Sequence, residues 1–197
     1  MTKTSPKIRV FVSSTFLDMQ KERDVLNQEV FPIVKGLCDT LGVPFNVIDL
    51  RWGITEEDQA KGNVIDLCLD EIQHCKPYFI GLIGNRYGWI PDQFDPDLEE
   101  KYRFIKANQD KSVTELEMIL GALAEENRDR CFFYYKDEKL FDASTSDHKE
   151  DKIEALKQRI DALNICHSDY SSFDEFKDLV LRDLTNAIEK TIPKAAT

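Results

Sequence analysis

Nothing in this 197-residue chain resembles an apolar run of the roughly 18 residues a membrane helix needs, so no span is expected. The first residues, MTKTSPK, lead into a strand without an apolar stretch or cleavage site, and the expected location is the cytoplasm. Cysteine is sparse and odd in number: Cys38, Cys68, Cys75, Cys131 and Cys166 never approach C-x-x-C spacing, which argues against a disulfide framework and against zinc. Three histidines, His74, His148 and His167, have no partner at ligand spacing, so no metal is expected. Positive charge is also short, with 26 Lys and Arg against 37 Asp and Glu. A net charge of -11 opposes a nucleic-acid backbone, and no basic stripe offsets it. Much of the acid lies in Asp92 to Glu100, DQFDPDLEE, where a solvated surface is the ordinary explanation. Neither G-x-x-x-x-G-K-S/T nor G-x-G-x-x-G occurs, and no Ser-His-Asp or Cys-His pairing can be located. Repeats and low-complexity linkers are missing too, and the length suits one α/β domain over 1–197.

What remains is an alternation of strand and helix signals. Ile8 to Val12 is an apolar strand that breaks into the polar turn Ser13-Ser14-Thr15. Val25, Leu26, Val30, Ile33, Val34 and Leu37 then recur at helical spacing, with Pro32 predicting a kink or break. Val43 to Leu50 reads as a second strand ending at Arg51-Trp52-Gly53, and a helix follows near Val64 to Cys75, where Cys68 and Cys75 share one face. Tyr78 to Ile83 is apolar throughout, as expected of a central parallel strand covered on both faces. The segment from Ile90 to Lys111 exceeds an ordinary connection and is a candidate lid or partner loop, with a short helix around Leu98 to Ala107. Ser112-Val-Thr-Glu115 is a capping box opening a helix, Cys131 to Tyr135 is a fourth strand, and Lys136 to Glu150 is a polar loop. Helices over residues 150–192, the last opened by Ser172-Phe-Asp-Glu175, flank a fifth, edge strand at Asn164 to His167 and complete the domain. Glu22, Arg23 and Asp24, which open the first helix, either reach the crevice at the carboxyl ends of the strands or pair along the helix surface at i, i+4, the commoner outcome.

Five such units predict a flavodoxin-like, doubly wound, mostly parallel five-stranded sheet in the order 2-1-3-4-5. Ligands bind such sheets at the carboxyl ends of the strands, where the chain reverses direction between strands one and three. Gathered there are Ser13, Ser14, Thr15 and Phe16, then Arg51 and Trp52, then Asn85, Arg86, Tyr87 and Trp89, with Glu115 in the first turn of a helix. Hydroxyls and a strand-to-helix turn donate to phosphate, arginines neutralise it, and aromatic faces stack on a base, so the set suits a nucleotide. The alternative is that Arg51 and Arg86 pair with loop acids and the aromatics plug the sheet's end.

The blocks FVSSTFLDMQKERD, RWGIT, CLDEIQHCKPYFIGLIGNRYGW and SVTELEM, within residues 8–135, resemble the TIR-like domain at the N-terminus of STAND-type NTPases with NACHT and repeat modules. The resemblance implies an effector or signalling domain that self-associates and belongs beside NTPase and repeat modules of a larger chain. It also implies NAD as a substrate, hydrolysed or cyclised by one glutamate at the start of the helix after strand three, which corresponds to Glu115. The pattern departs from the family's Trp-Cys-x-x-Glu, because Lys111 and Ser112 stand in the Trp and Cys positions. A carboxylate suffices chemically, since nicotinamide leaves as a neutral base and an oxocarbenium-like centre needs only a negative neighbour. Glu115 is also the N3 member of the capping box, a purely structural role, and Glu117 is the reserve on the opposite helix face. Two alternatives stay open: a non-enzymatic adaptor that self-associates, and a hydrolase or transferase acting on other nucleoside N-glycosidic bonds.

Overall fold

The computed structural model describes residues 7–49, 63–75, 78–123 and 125–192. Its strands are β1 (Ile8–Ser13), β2 (Phe45–Ile48), β3 (Tyr78–Ile83), β4 (Cys131–Lys136) and β5 (Cys166–Tyr170). All four pairings are parallel and the order is β2-β1-β3-β4-β5, a flavodoxin-like doubly wound sheet as expected.

Alternation along the strands sorts side chains onto two faces. On one, Ile8, Val10 and Val12 join Tyr78, Ile80 and Leu82, with Phe132 and Tyr134 beside them. That face is covered by α1 (Gln20–Val25), α2 (Phe31–Thr40) and α7 (Phe173–Thr191), through Val34 and through Phe176, Val180, Leu184 and Ile188. On the other, Phe11, Phe79, Phe133 and Tyr135 pack under α3 (Asn63–Cys75), α5 (Val113–Gly121) and α6 (Glu150–Ala162). Each such large buried side chain contributes roughly 1.5–3 kcal/mol. The central strands are thereby fixed, and with them the position of every turn at their carboxyl ends.

Several local features refine the expectations. The first helix does break ahead of Pro32, through a π-helical turn at Leu26–Val30 that widens the backbone where proline offers no N–H. β2 is shorter than the apolar run, and β5 lies further along than expected, because Asn164 takes a left-handed conformation that ends α6 before the strand begins. The 90–111 segment is not a free lid. It forms α4 (Pro96–Lys101) and a 3-10 turn, Arg103–Ala107, whose Leu98, Tyr102 and Ile105 pack on Ile65 and Leu69 of α3. Lys101 bridges Asp66 and Asp70 at 2.7 and 2.8 Å, so part of the acidic surplus is an anchor. Cys38, Cys68 and Cys131 are buried and Cys166 is exposed. Among the described residues, no helix is long and apolar enough to cross a membrane, and no group of three or more His, Cys, Asp or Glu is placed to hold a metal ion.

Candidate functional site

The turns leaving β1 and β3 do lie against each other. A methyl group on Gly84 would sit 2.5 Å from Asp18 Oδ2 and from Met19 Cε, so a larger residue there would force these two side chains of the first turn to shift. Gly88, at φ 100°, brings the far side of the β3 turn to Thr15. Arg51 and Trp52, expected on the same edge, lie outside the described residues.

Each hydroxyl of the first turn is engaged by protein. Ser13 donates to Glu117 Oε2 at 2.6 Å, Ser14 to the Thr15 carbonyl at 2.7 Å, and Thr15 to Asp18. Ser14 Oγ also accepts from Arg23 Nη2 at 2.8 Å, and Arg23, fully buried, pairs with Asp49 just beyond β2. Phe16 is 37% exposed and its neighbour Leu17 49%.

In the second turn, Asn85 and Arg86 do not stand free for phosphate. The Asn85 amide donates to the Asp142 carbonyl at 2.9 Å and accepts from Thr145, and Arg86 donates to the Thr145 carbonyl at 3.4 Å. Tyr87 is buried, whereas Trp89 remains 38% exposed and available for stacking. An open hollow lies one strand over: a cavity of about 520 Å³ bounded by Gly84, Asn85, Lys136, Phe141, Ile153 and Lys157.

α5 carries both candidate carboxylates, on opposite sides. The Ser112 hydroxyl accepts from the Glu115 N–H at 3.2 Å, so the cap forms. The reciprocal half of the box does not: the Ser112 N–H donates to the Tyr87 hydroxyl at 3.3 Å, and Tyr87 in turn donates to Glu115 Oε2. Arg159 of α6 stands 3.8 Å from Glu115 Oε1. Burial first, and then the bond to Glu115, push the Tyr87 hydroxyl well above its usual range, which keeps it a donor. Glu117 faces the other way, to the end of β1.

Buried charges lie beneath the first turn, because Glu22 and Arg23 take the less common of their two expected courses and point inward, Arg23 to Ser14. Glu22 Oε1 lies 3.0 Å from Lys136 Nζ and accepts from Tyr170 at 2.8 Å, while Lys136 also donates to the Asp18 carbonyl at 2.9 Å. Asp18 Oδ2 and Glu22 Oε2 are buried without a hydrogen-bond partner. A signal existed in the spacing. Glu22 and Arg23 fall three and four residues after Met19 and before Leu26, on the apolar stripe, and Lys136 shares the strand face of Phe132 and Tyr134.

Burial holds the Asp18 carboxyl above its usual value of 3.8, opposed by the Thr15 bond and Lys136 and reinforced by Glu22. A raised carboxylate contributes stability that is fully present below the unfolded value and is lost as pH rises through the folded one. Asp18→Asn, which keeps an acceptor for Thr15, should therefore gain in thermal midpoint relative to wild type as pH rises from about 4 to about 7. A flat difference across that window would contradict the assignment.

The family model described as a domain of unknown function, DUF4062, matches residues 9–185. The chain belongs to the DUF4062 family. Among family relatives, a TPR repeat-containing protein of Dictyostelium discoideum is 28% identical over 95% of this chain and 12% of its own length. Telomerase protein component 1 of Rattus norvegicus is 29% identical over 93% of this chain and 8% of its own length. NACHT domain- and WD repeat-containing protein 1 of Mus musculus is 32% identical over 51% of this chain and 7% of its own length. The DUF4062 chain thus spans less than a fifth of the length of the curated relatives it matches, which include TPR-, NACHT- and WD-repeat-containing proteins. No solved structure matches it.

Proposed function

We propose that this domain is a TIR-like signalling module of a larger NTPase- or repeat-bearing protein, which binds NAD or a related nucleotide at the carboxyl edge of the sheet and, when clustered, hydrolyses the nicotinamide-ribose bond. The supporting observation is the buried Glu117 carboxylate accepting from Ser13 at 2.6 Å at the end of β1. A carboxylate so placed accepts equally from a ribose hydroxyl, with the serine hydroxyl standing in for it. Its charge then opposes the positive charge that develops on the ribose as the C–N bond breaks. The bond's electron pair leaves with nicotinamide, a water adds to the anomeric carbon, and its proton passes to solvent.

Glu115, to which the family pattern points, is the second candidate. Its carboxylate is held by Tyr87, which leaves Glu117 the better placed toward β1. Ser14, Thr15, Asn85 and Arg86 serve in this reading only after exchanging their present protein partners, while Phe16 and Trp89 offer ring faces; Arg51, Trp52 and Tyr87 complete the proposed nucleotide-binding set.

A non-enzymatic adaptor is the competing reading, favoured by the partly exposed Phe16, Leu17 and Trp89 at this same edge, an apolar surface suited to self-association. Concentrated protein incubated with NAD separates the two. Nicotinamide and ADP-ribose, formed with a rate rising faster than protein concentration, are the expected result. Assembly by light scattering without product would favour the adaptor, and release of free base from other nucleotides would identify a different N-glycosidic substrate.

A further inference from the structure

The β3 turn is clamped by a strap from the β4–α6 connection, and the clamp has an unusual centre. The Tyr87 and Gly88 N–H groups, consecutive and pointing together, donate to the two carboxylate oxygens of Asp147 at 3.0 and 2.9 Å. Gly88, at φ 100°, supplies the left-handed step that turns two successive amides into one concave nest. Lys149 completes the enclosure, its ammonium 3.5 Å from Asp147 Oδ2 and donating to the Gly88 carbonyl at 3.0 Å. Two backbone donors and a cation around one anion are the ordinary makings of a phosphoryl-binding seat. Here the chain's own carboxylate fills it.

The strap that delivers Asp147 has little else to hold it. No residue from 142 to 149 is buried, and its ties to the β3 turn are polar: Asp142 and Thr145 with Asn85, Thr145 with Arg86, and Asp147 and Lys149 with the nest. Segments without apolar anchorage occupy the low-stability end of a fold and open independently of its core. His148, next to Asp147, is held at φ 56°, a conformation that side-chained residues seldom adopt. The same strap supplies Ala143 and Ser146 to the wall of the 520 Å³ cavity, so its release would join cavity and nest.

Charge decides what can replace the carboxylate. Of the neighbouring acids, Asp110 is bracketed by Lys111 at 3.2 Å and Lys152 at 3.5 Å, and Glu115 is held by Tyr87 with Arg159 at 3.8 Å. Asp147 is the carboxylate that faces Lys149, so its departure leaves the nest cationic, with Lys152 5.5 Å above the Tyr87 ring. A phosphoryl group brings more charge than a carboxylate and a third oxygen. We propose that the Tyr87–Gly88 amide nest with Lys149 is a phosphoryl-binding seat, and that Asp147 on the 142–149 strap occupies it in the resting protein as an autoinhibitory plug. The seat is distinct from the Ser13–Glu117 contact, and its occupancy does not depend on whether any glycosidic bond is cleaved.

The test is a titration of the full chain with inorganic pyrophosphate at constant ionic strength, following the Tyr87 and Gly88 amide resonances and the binding heat. Asp147→Ala should bind at least about tenfold more tightly than wild type, the scale of one charge-assisted contact released for the ligand. Adding Lys149→Ala to that variant should remove the gain. In wild type, pyrophosphate should speed amide exchange across 142–149 as it displaces the plug. If Asp147→Ala fails to fold, Asp147→Asn, which retains one acceptor for the nest, should show the gain in smaller measure. Resonances of Tyr87 and Gly88 that stay unmoved in wild type and in whichever variant folds would overturn the proposal. So would shifts scattered over surface lysines, which would mark nonspecific anion binding only.

Discussion

Replacing Lys136 with methionine is expected to lower the unfolding free energy by about 3–5 kcal/mol, the usual cost of leaving a buried charge without its partner. The Lys136 side chain is 7% exposed and Glu22 not at all, so Glu22 would be left buried without the contact at 3.0 Å. Glu22 Oε1 would keep only the Tyr170 hydroxyl, and Oε2 already lacks a partner. In a chain of this size each kcal/mol is worth roughly 2–4 °C of thermal midpoint, so the loss should be plain in a melting curve as well as in denaturant. The double variant Lys136→Met with Glu22→Leu should recover most of the stability, because a buried ion pair replaced by apolar groups of similar volume is often neutral or better. A single variant costing less than about 1 kcal/mol, the range of exposed pairs, would mean that this pair is wet.

Glu117→Gln is expected to reduce nicotinamide release by about 10²–10³-fold, the scale set by removing one preorganised electrostatic contact to a transition state. The amide keeps the shape and still accepts from Ser13, yet carries no charge for the ribosyl centre. Its thermal midpoint should stay within a few degrees of wild type, since a change of about 1 kcal/mol moves it no further. Glu115→Gln should cost less activity, because Glu115 is bonded to Tyr87 at the start of α5 and sits on the far side of the helix from Ser13. The reverse ranking would restore Glu115 as the reacting carboxylate and leave Glu117 a structural partner of β1.

The fold was legible because its signals are periodic. The apolar runs at Ile8 and Tyr78, the serine caps at Ser112 and Ser172, and the strand-helix alternation each reflect local chemistry, and together they leave little choice of sheet order. Side-chain partners across the sheet were not legible in the same way. The Lys136–Glu22 pair joins residues far apart in sequence, and only their coincidence with apolar stripes hints at burial. Their two-residue spacing puts Glu115 and Glu117 on opposite faces, but which face meets β1 depends on the rotation of α5 over the sheet. That rotation is set by Met118 and Ala122 packing into the core. The 90–111 segment looked like a lid because its acids appear solvated, whereas Tyr102 and Lys101 anchor it to α3.

A crystal structure of the domain grown with ADP-ribose tests the central claim most directly. The expected result is a ribose at the carboxyl edge of β1, its hydroxyl donating to Glu117 in place of Ser13. A nucleotide bound elsewhere on the molecule, with the Ser13–Glu117 hydrogen bond intact, would contradict it.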